Sequence, residues 1–366
     1  MRYPRLFNSL TAMILPTEPI GSFPRPPALL AAIADHAAGR IGQAALDAQY
    51  DDAVRDTIAT LERLGSPVVT DGEQRKSSFA TYPLSGLDTL APDGAVIPFA
   101  DGHTRQLPRL TTGPFRYATR SQTYLTAAQQ HATVPVKQAV IAPSALSLLY
   151  PAQGIDGYPR EAFLDDLVDE AEADIRGALD AGAQTVQLDF TEGRLSIKLD
   201  PSKGLLQAFV ALNNRVLERF TPQERARIGV HTCPGGDQDS THSLDVDYVE
   251  LLPSLFAIDA GVFYVQLAGE AEPERVLAAI AEHARPHQRI FVGVTNPVDP
   301  VVETADQVRD RVLRAAEYIS PDRLGTCDDC GFAPFADDLS TSRDTAWAKV
   351  RARVEGTALA AEQLAG

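Results

Sequence analysis

Short apolar runs recur along the chain, each ending on small or polar residues. Helical stretches lie between most of them. Val136–Ala142, Thr185–Phe190, Ile228–His231, Val262–Leu267, Ile290–Val294 and Arg323–Thr326 are too short for helices and nearly continuous in apolar character, as strands buried on both faces are. Residues 12–20 and Pro67–Thr70 supply two more such runs. Residues 27–63 read as helical with a break near Gly39–Gly42, ending at Leu64-Gly65, and 160–181 as an amphipathic helix ending at Gly182. Further helices are predicted over 203–220, up to about 258, over 272–284, up to Ile319 and over 342–364. Residues 77–134, rich in Pro, Gly, Tyr and Thr, fit no simple helix and read as an inserted hairpin or lid.

Eight strand signals with helices between them predict one α/β domain over 1–366, a (β/α)8 TIM barrel with the inserted segment after its second strand. A doubly wound open sheet is the alternative. It would carry a glycine-rich phosphate loop after the first strand, and the chain has no GxGxxG. In a barrel, residues at the carboxyl ends of the strands share one mouth. Here they are Ser22, Asp71, Glu73, Asp189, His231, Cys233, Gln266, Asn296, Cys327 and Cys330.

Charge and composition narrow the function. A formal charge of -16 with no long basic run argues against a nucleic-acid partner. No run of eighteen apolar residues suits a membrane span, and the N-terminal stretch MRYPRLFNSLTAMILP lacks a signal core, so a cytoplasmic protein is expected. Three cysteines do not make a secreted disulfide scaffold. All three follow short apolar runs. His231 and Cys233 are two apart on one strand and point the same way, and Cys327 and Cys330 follow the last strand. One imidazole and two or three thiolates suit tetrahedral zinc, with an open position for a substrate thiol. Inert core thiols, or a Cys327–Cys330 disulfide or redox pair, are the alternatives. The IGSFP turn at 20–24 offers backbone N–H groups and a hydroxyl to an anion, or is a plain turn.

Together, IGSFP at 20–24, DGEQRK at 71–76, VQLD at 186–189, HTC at 231–233 and DCGF at 329–332 resemble the catalytic C-terminal barrel of the cobalamin-independent methionine synthase family over roughly 12–340. The full-length synthase has a second barrel, so the chain resembles a single-barrel member. The resemblance implies a zinc-bound thiolate that attacks an alkyl donor, with His231, Cys233 and Cys330 as zinc ligands. It implies that Glu73 and Asp189 hold the ammonium of homocysteine and that Ile20, Gly21 and Ser22 receive its carboxylate. Several positions depart from the family. Gln266 stands where a zinc-ligating glutamate is expected, leaving Gln266 itself, Glu270, Cys327 or water for the fourth position. Phe190 replaces a second carboxylate, the expected tryptophan falls near Leu149-Tyr150, and VTNPVDP lacks the family's histidine. These changes fall on donor recognition rather than thiol activation.

The chain also resembles the zinc-dependent epoxyalkane:coenzyme M transferase branch, which uses one His and two Cys. There His242 would protonate the alkoxide, and Arg75, Lys76 or Arg194 would meet a sulfonate. Because Glu73 and Asp189 suit an amine, methyl transfer to homocysteine is the first expectation and epoxide opening the second. A non-enzymatic zinc-stabilised protein is a third. The partners expected are a small thiol and an alkyl or methyl donor; the oligomeric state is left open.

Overall fold

The computed structural model describes residues 15–366. The stretch read for a signal core, and the start of the segment at 12–20, lie outside the described residues apart from their last few positions.

Six strands form one parallel sheet in chain order: Gln138–Ile141, Val186–Asp189, Ile228–Thr232, Val262–Val265, Arg289–Thr295 and Leu324–Asp328. Nearly every residue in them is buried, which explains their continuous apolar character. The pairing sets the level of the strand ends: Asp189 is opposite His231, and His231 is opposite Tyr264.

At the sheet edges stand the two weakest strand signals, each reduced to a single-residue parallel bridge: Val69 to Val136 and Thr17 to Thr326. The two outer segments also bond to each other. Phe23 N–H donates to Gly72 O (3.0 Å), and the Thr70 hydroxyl donates to Gly21 O (2.8 Å). The core is thus TIM-barrel-like, with a central six-stranded parallel sheet.

Alternation within the strands separates an outer from an inner face. Phe263 and Val265 join the large core shared with the helices, whereas Val262 and Tyr264 pack inward with Ile20, Phe291 and Cys327. Lys137 reaches into this interior, where its Nζ donates to Gln187 Oε1 (2.8 Å) and lies over the Tyr264 ring.

The long helices end where glycine signals place them. Gly182 (φ 88°) follows helix Arg160–Asp180, and the Ala183 N–H to Ala178 O and Gly182 N–H to Leu179 O bonds form a Schellman closure. Although it carries Glu192, Arg194 and Lys198, the segment Glu192–Leu199 is a helix, with Leu195 and Ile197 buried and Lys198 turned outward. The helix expected up to residue 258 is only a 3-10 turn, Tyr248–Glu250, and the short helix Leu252–Leu255. Within 77–134, Val96–Pro98 pairs antiparallel with Thr104–Gln106, and helix Gln122–Gln129 follows.

Candidate metal centre

His231 is the penultimate residue of its strand, and Cys233 follows just after the strand's end. Cys330 arrives from the turn after Leu324–Asp328. All three are buried, and their ligand atoms lie within 4.8 Å of one another. The Cys233 and Cys330 sulphurs are 3.1 Å apart, and both thiols are free. The two thiols hydrogen-bond to each other. The hydrogen bond from Cys233 holds the Cys330 thiol down at about 7, against the opposing effect of burial, while the same bond and burial push Cys233 well up. A soft cation would replace the proton of that bond, so the donor set fits zinc.

Asp189 orients the imidazole. Its Oδ1 meets His231 Nδ1 at 3.1 Å and accepts from Gln187 Nε2 at 2.7 Å. Burial lowers the His231 pKa, but the bond and charge of Asp189 outweigh it and leave the group raised. A carboxylate on the second ring nitrogen is a common support for a metal-bound histidine. His231 Nε2 lies 3.3 Å from the Asp329 carbonyl oxygen. The Asp329 carboxylate in turn accepts the N–H groups of Leu267, Ala268 and Gly269 (2.8, 2.9 and 2.6 Å), tying the turn after the neighbouring strand to the Cys330 loop.

Two of the residues weighed for a fourth ligand are engaged elsewhere. Cys327 packs in the inner cluster with its sulphur directed at Phe291 O (3.6 Å), so neither the metal position nor a Cys327–Cys330 disulfide uses it. Glu270 is held by Arg194 (2.6 Å). Gln266 is buried, and its Oε1 has no hydrogen-bond partner among the described residues.

A cavity of about 570 Å³ opens beside the triad and is lined by Ile20, Gly21, Ser22, Glu73, Asp189, His231, His242 and Cys330 among others. Phe79, Ile97, Phe99, Ile141, Leu148, Leu195 and Phe335 form much of its apolar wall. Glu73 sits in the left-handed region (φ 55°), locked there by its N–H to Asp71 Oδ1 (2.9 Å) and by Arg25 on its carbonyl (3.0 Å). Its carboxylate already carries Lys76 Nζ at 2.8 Å, an internal ammonium whose pairing is not legible in DGEQRK. Burial raises the Glu73 pKa and Lys76 opposes it. The Ser22 hydroxyl accepts the Ala333 N–H (3.2 Å) and so braces the Cys330 loop.

The residues weighed for the epoxide branch are neutral or engaged with other groups. Burial, with Lys198 and Arg194 adding to it, depresses His242 to about 4, so the ring is a neutral base at neutral pH and not a ready proton source. Arg75 faces Asp47 and Tyr50, Lys76 holds Glu73, and Arg194 holds Glu270 and two carbonyls, so none is a free cation for a sulfonate.

Sequence reasoning read 77–134 as a hairpin or lid without singling out Arg105 or Phe99 within it. Arg105, a cavity residue, bonds Asp237 Oδ2 (2.5 Å) and Oδ1 (3.0 Å) and Asp337 (2.9 Å), and Phe99 stands edge-on to His242. It also missed Glu192, whose only signal is its place three residues after Asp189.

The model of the cobalamin-independent synthase catalytic domain matches residues 15–346. The chain belongs to this family. A 5-methyltetrahydropteroyltriglutamate–homocysteine methyltransferase of Corynebacterium efficiens is 26% identical over 357 residues, covering 95% of this chain and 43% of that protein. The chain thus spans less than half the length of the first curated relatives it matches. A methionine synthase of Saccharolobus solfataricus is 22% identical, covering 96% of each chain. Among solved structures, a B12-independent methionine synthase from a Shewanella species in complex with selenomethionine superposes with a TM-score of 0.75 at 20% identity, covering 96% of this chain and 99% of that one. One from Listeria monocytogenes gives 0.71, also at 20%, covering 94% and 98%. These two likenesses speak for the shared fold. Among the described residues, no helix of this family member is long and apolar enough to cross a membrane.

Proposed function

We propose that this family member is a zinc-dependent thiol alkyltransferase that methylates homocysteine, built on a (β/α)8 barrel whose first two strands are the Thr17 and Val69 segments and whose inserted segment is 77–134. One observation carries the functional part: a buried His-Cys-Cys triad stands at the edge of a cavity large enough for two small substrates. His231, Cys233 and Cys330 would hold the zinc, with the fourth position left to the substrate sulphur. When bound, zinc lowers the thiol pKa and fixes the sulphur. Asp189 keeps the His231 ring in one tautomer and presents its second oxygen to the substrate ammonium. Glu73 serves that ammonium jointly with Lys76. Ile20, Gly21 and Ser22 are the proposed receivers of the carboxylate. The apolar walls keep water from the sulphur.

An amino-acid thiol suits this cavity better than coenzyme M, because carboxylates face it and the nearby cations are spoken for. The decisive assay supplies zinc-loaded protein with homocysteine or coenzyme M, crossed with a methyl-tetrahydropterin, methyl iodide and a small epoxide, and identifies products by mass. Methionine is the expected product. Alkylated coenzyme M from the epoxide, with indifference to homocysteine, would overturn the assignment.

A further inference from the structure

We propose, building on the thiol-alkylation function above, that Glu192 touches the leaving atom of the alkyl donor and gives it a proton. Glu192 begins the helix Glu192–Leu199 and lines the same cavity as His231 and Cys330. Only 5% of it is exposed. Its Oε1 accepts the Ser144 hydroxyl, whereas its Oε2 is buried without any hydrogen-bond partner among the described residues. Ser144 is itself fixed, its N–H donating to Asn213 Oδ1 (3.2 Å). With Ser144 engaging Oε1, we place the carboxyl proton of the proposal on the unpartnered Oε2. The same cavity also carries the apolar side chains Ile141, Ala145, Leu148 and Leu195.

Elimination points the same way. Glu73 is bonded to Lys76, Asp189 to His231 and Gln187, and His242 is neutral. Glu192 alone among these combines a spare oxygen with a proton: burial pushes its pKa up to about 8, Ser144 opposes this, and Asp189 adds to it. In the step, the acceptor sulphur forms a bond to the alkyl carbon and the carbon–leaving-atom bond breaks. The electron pair goes to the leaving atom, which takes the Oε2 proton. Glu192 is left as a carboxylate and regains a proton from solvent, matching the one the thiol lost. The net change is thiol plus donor to thioether plus protonated leaving group. The donor class follows: its leaving atom is a nitrogen or oxygen that needs a proton, not a halide or a sulfonium.

The test compares zinc-loaded wild type and Glu192→Gln with homocysteine and three donors. Methyl iodide releases a group that needs no proton; N5-methyltetrahydropterin and 1,2-epoxypropane release groups that do. We expect the rate with a proton-requiring donor, divided by the rate with methyl iodide, to fall about 100-fold or more in the variant. The wild-type rate with that donor should decline above about pH 8, and the decline should vanish in Glu192→Gln. Glu192→Asp should recover part of the ratio, and metal analysis should find zinc in each variant. An unchanged ratio, a retained alkaline decline, or a wild type that uses methyl iodide alone overturns the proposal. If wild type does not accelerate even methyl iodide, thiol activation fails first and this proposal falls with it.

Discussion

Replacing Asp189 by Asn tests how the site is held together. The substitution preserves shape. The amide keeps an oxygen where Oδ1 now meets His231 Nδ1 (3.1 Å) and Gln187 Nε2 (2.7 Å), so both contacts survive as neutral hydrogen bonds. What disappears is the charge. Loss of a carboxylate behind a metal-bound histidine commonly lowers metal affinity by about 10- to 100-fold, or about 1.4–2.7 kcal/mol. The second oxygen becomes an NH2 that repels an ammonium. A charge-assisted hydrogen bond in a sheltered site is worth roughly 1.5–3 kcal/mol, so homocysteine affinity should fall about tenfold or more. Competition against a chromophoric zinc chelator measures the first effect, and calorimetric titration of the zinc-loaded variant with homocysteine measures the second. Weakened homocysteine binding with zinc affinity within twofold of wild type would refute the coupling through His231. It would restore the simpler expectation from sequence, in which Asp189 serves the substrate alone.

Three further outcomes are expected. Cys233→Ala should lose zinc and activity together, because one of two soft ligands is gone; full zinc content by metal analysis would reject its role. Cys327→Ala should retain zinc and lose on the order of 1 kcal/mol of stability by leaving a small void beside Tyr264 and Phe291; zinc loss would mean that it is a ligand after all. Burial first, and Lys198 and Arg194 after it, hold His242 at about 4 when folded against 6.5 unfolded, so the unfolded chain binds the extra proton as pH falls. Its contribution, up to about 3 kcal/mol, is fully present above about 6.5 and drains away toward about 4. Denaturant titrations should therefore show wild type losing stability relative to His242→Gln as pH falls through that window, and parallel curves would count against a neutral buried ring.

The parallel core was legible because burial on both faces leaves a simple mark: a short, mostly apolar run and then a polar residue, as in Val262–Val265 followed by Gln266. The outer segments were harder because each forms only a single bridge and is held largely by side chains and isolated backbone bonds, such as Thr70 to Gly21 O. The Glu192–Leu199 helix was obscured because Glu192 and Arg194 look solvated in sequence, yet both are buried, Glu192 lining the cavity and Arg194 bonding the carbonyls of Leu244 and Val246. In the helix, polarity reports partners rather than water.

The same distinction separates the metal triad from the carboxylates around it. Parity alone put His231 and Cys233 on one side of a strand, so their convergence was a local property. Choosing Cys330 over Cys327 was not local. Cys327, within its strand, faces the inner cluster, and only the turn after Asp328 carries Cys330 back to Cys233. The carboxylates are less local still. Glu73 and Asp189 were read as two equal anions awaiting an ammonium, because sequence carries reference charges without partners. In the fold, one is bonded to Lys76 and the other to the imidazole. Each anion is thereby stabilised before substrate arrives, and the site's electrostatics are set largely by internal pairs. Glu192 has no cationic partner in these contacts, and burial pushes its pKa up to about 8. A site assembled this way separates its carboxyl groups by what each touches: one orients a ligand, one shares an ammonium, and one has no cationic partner.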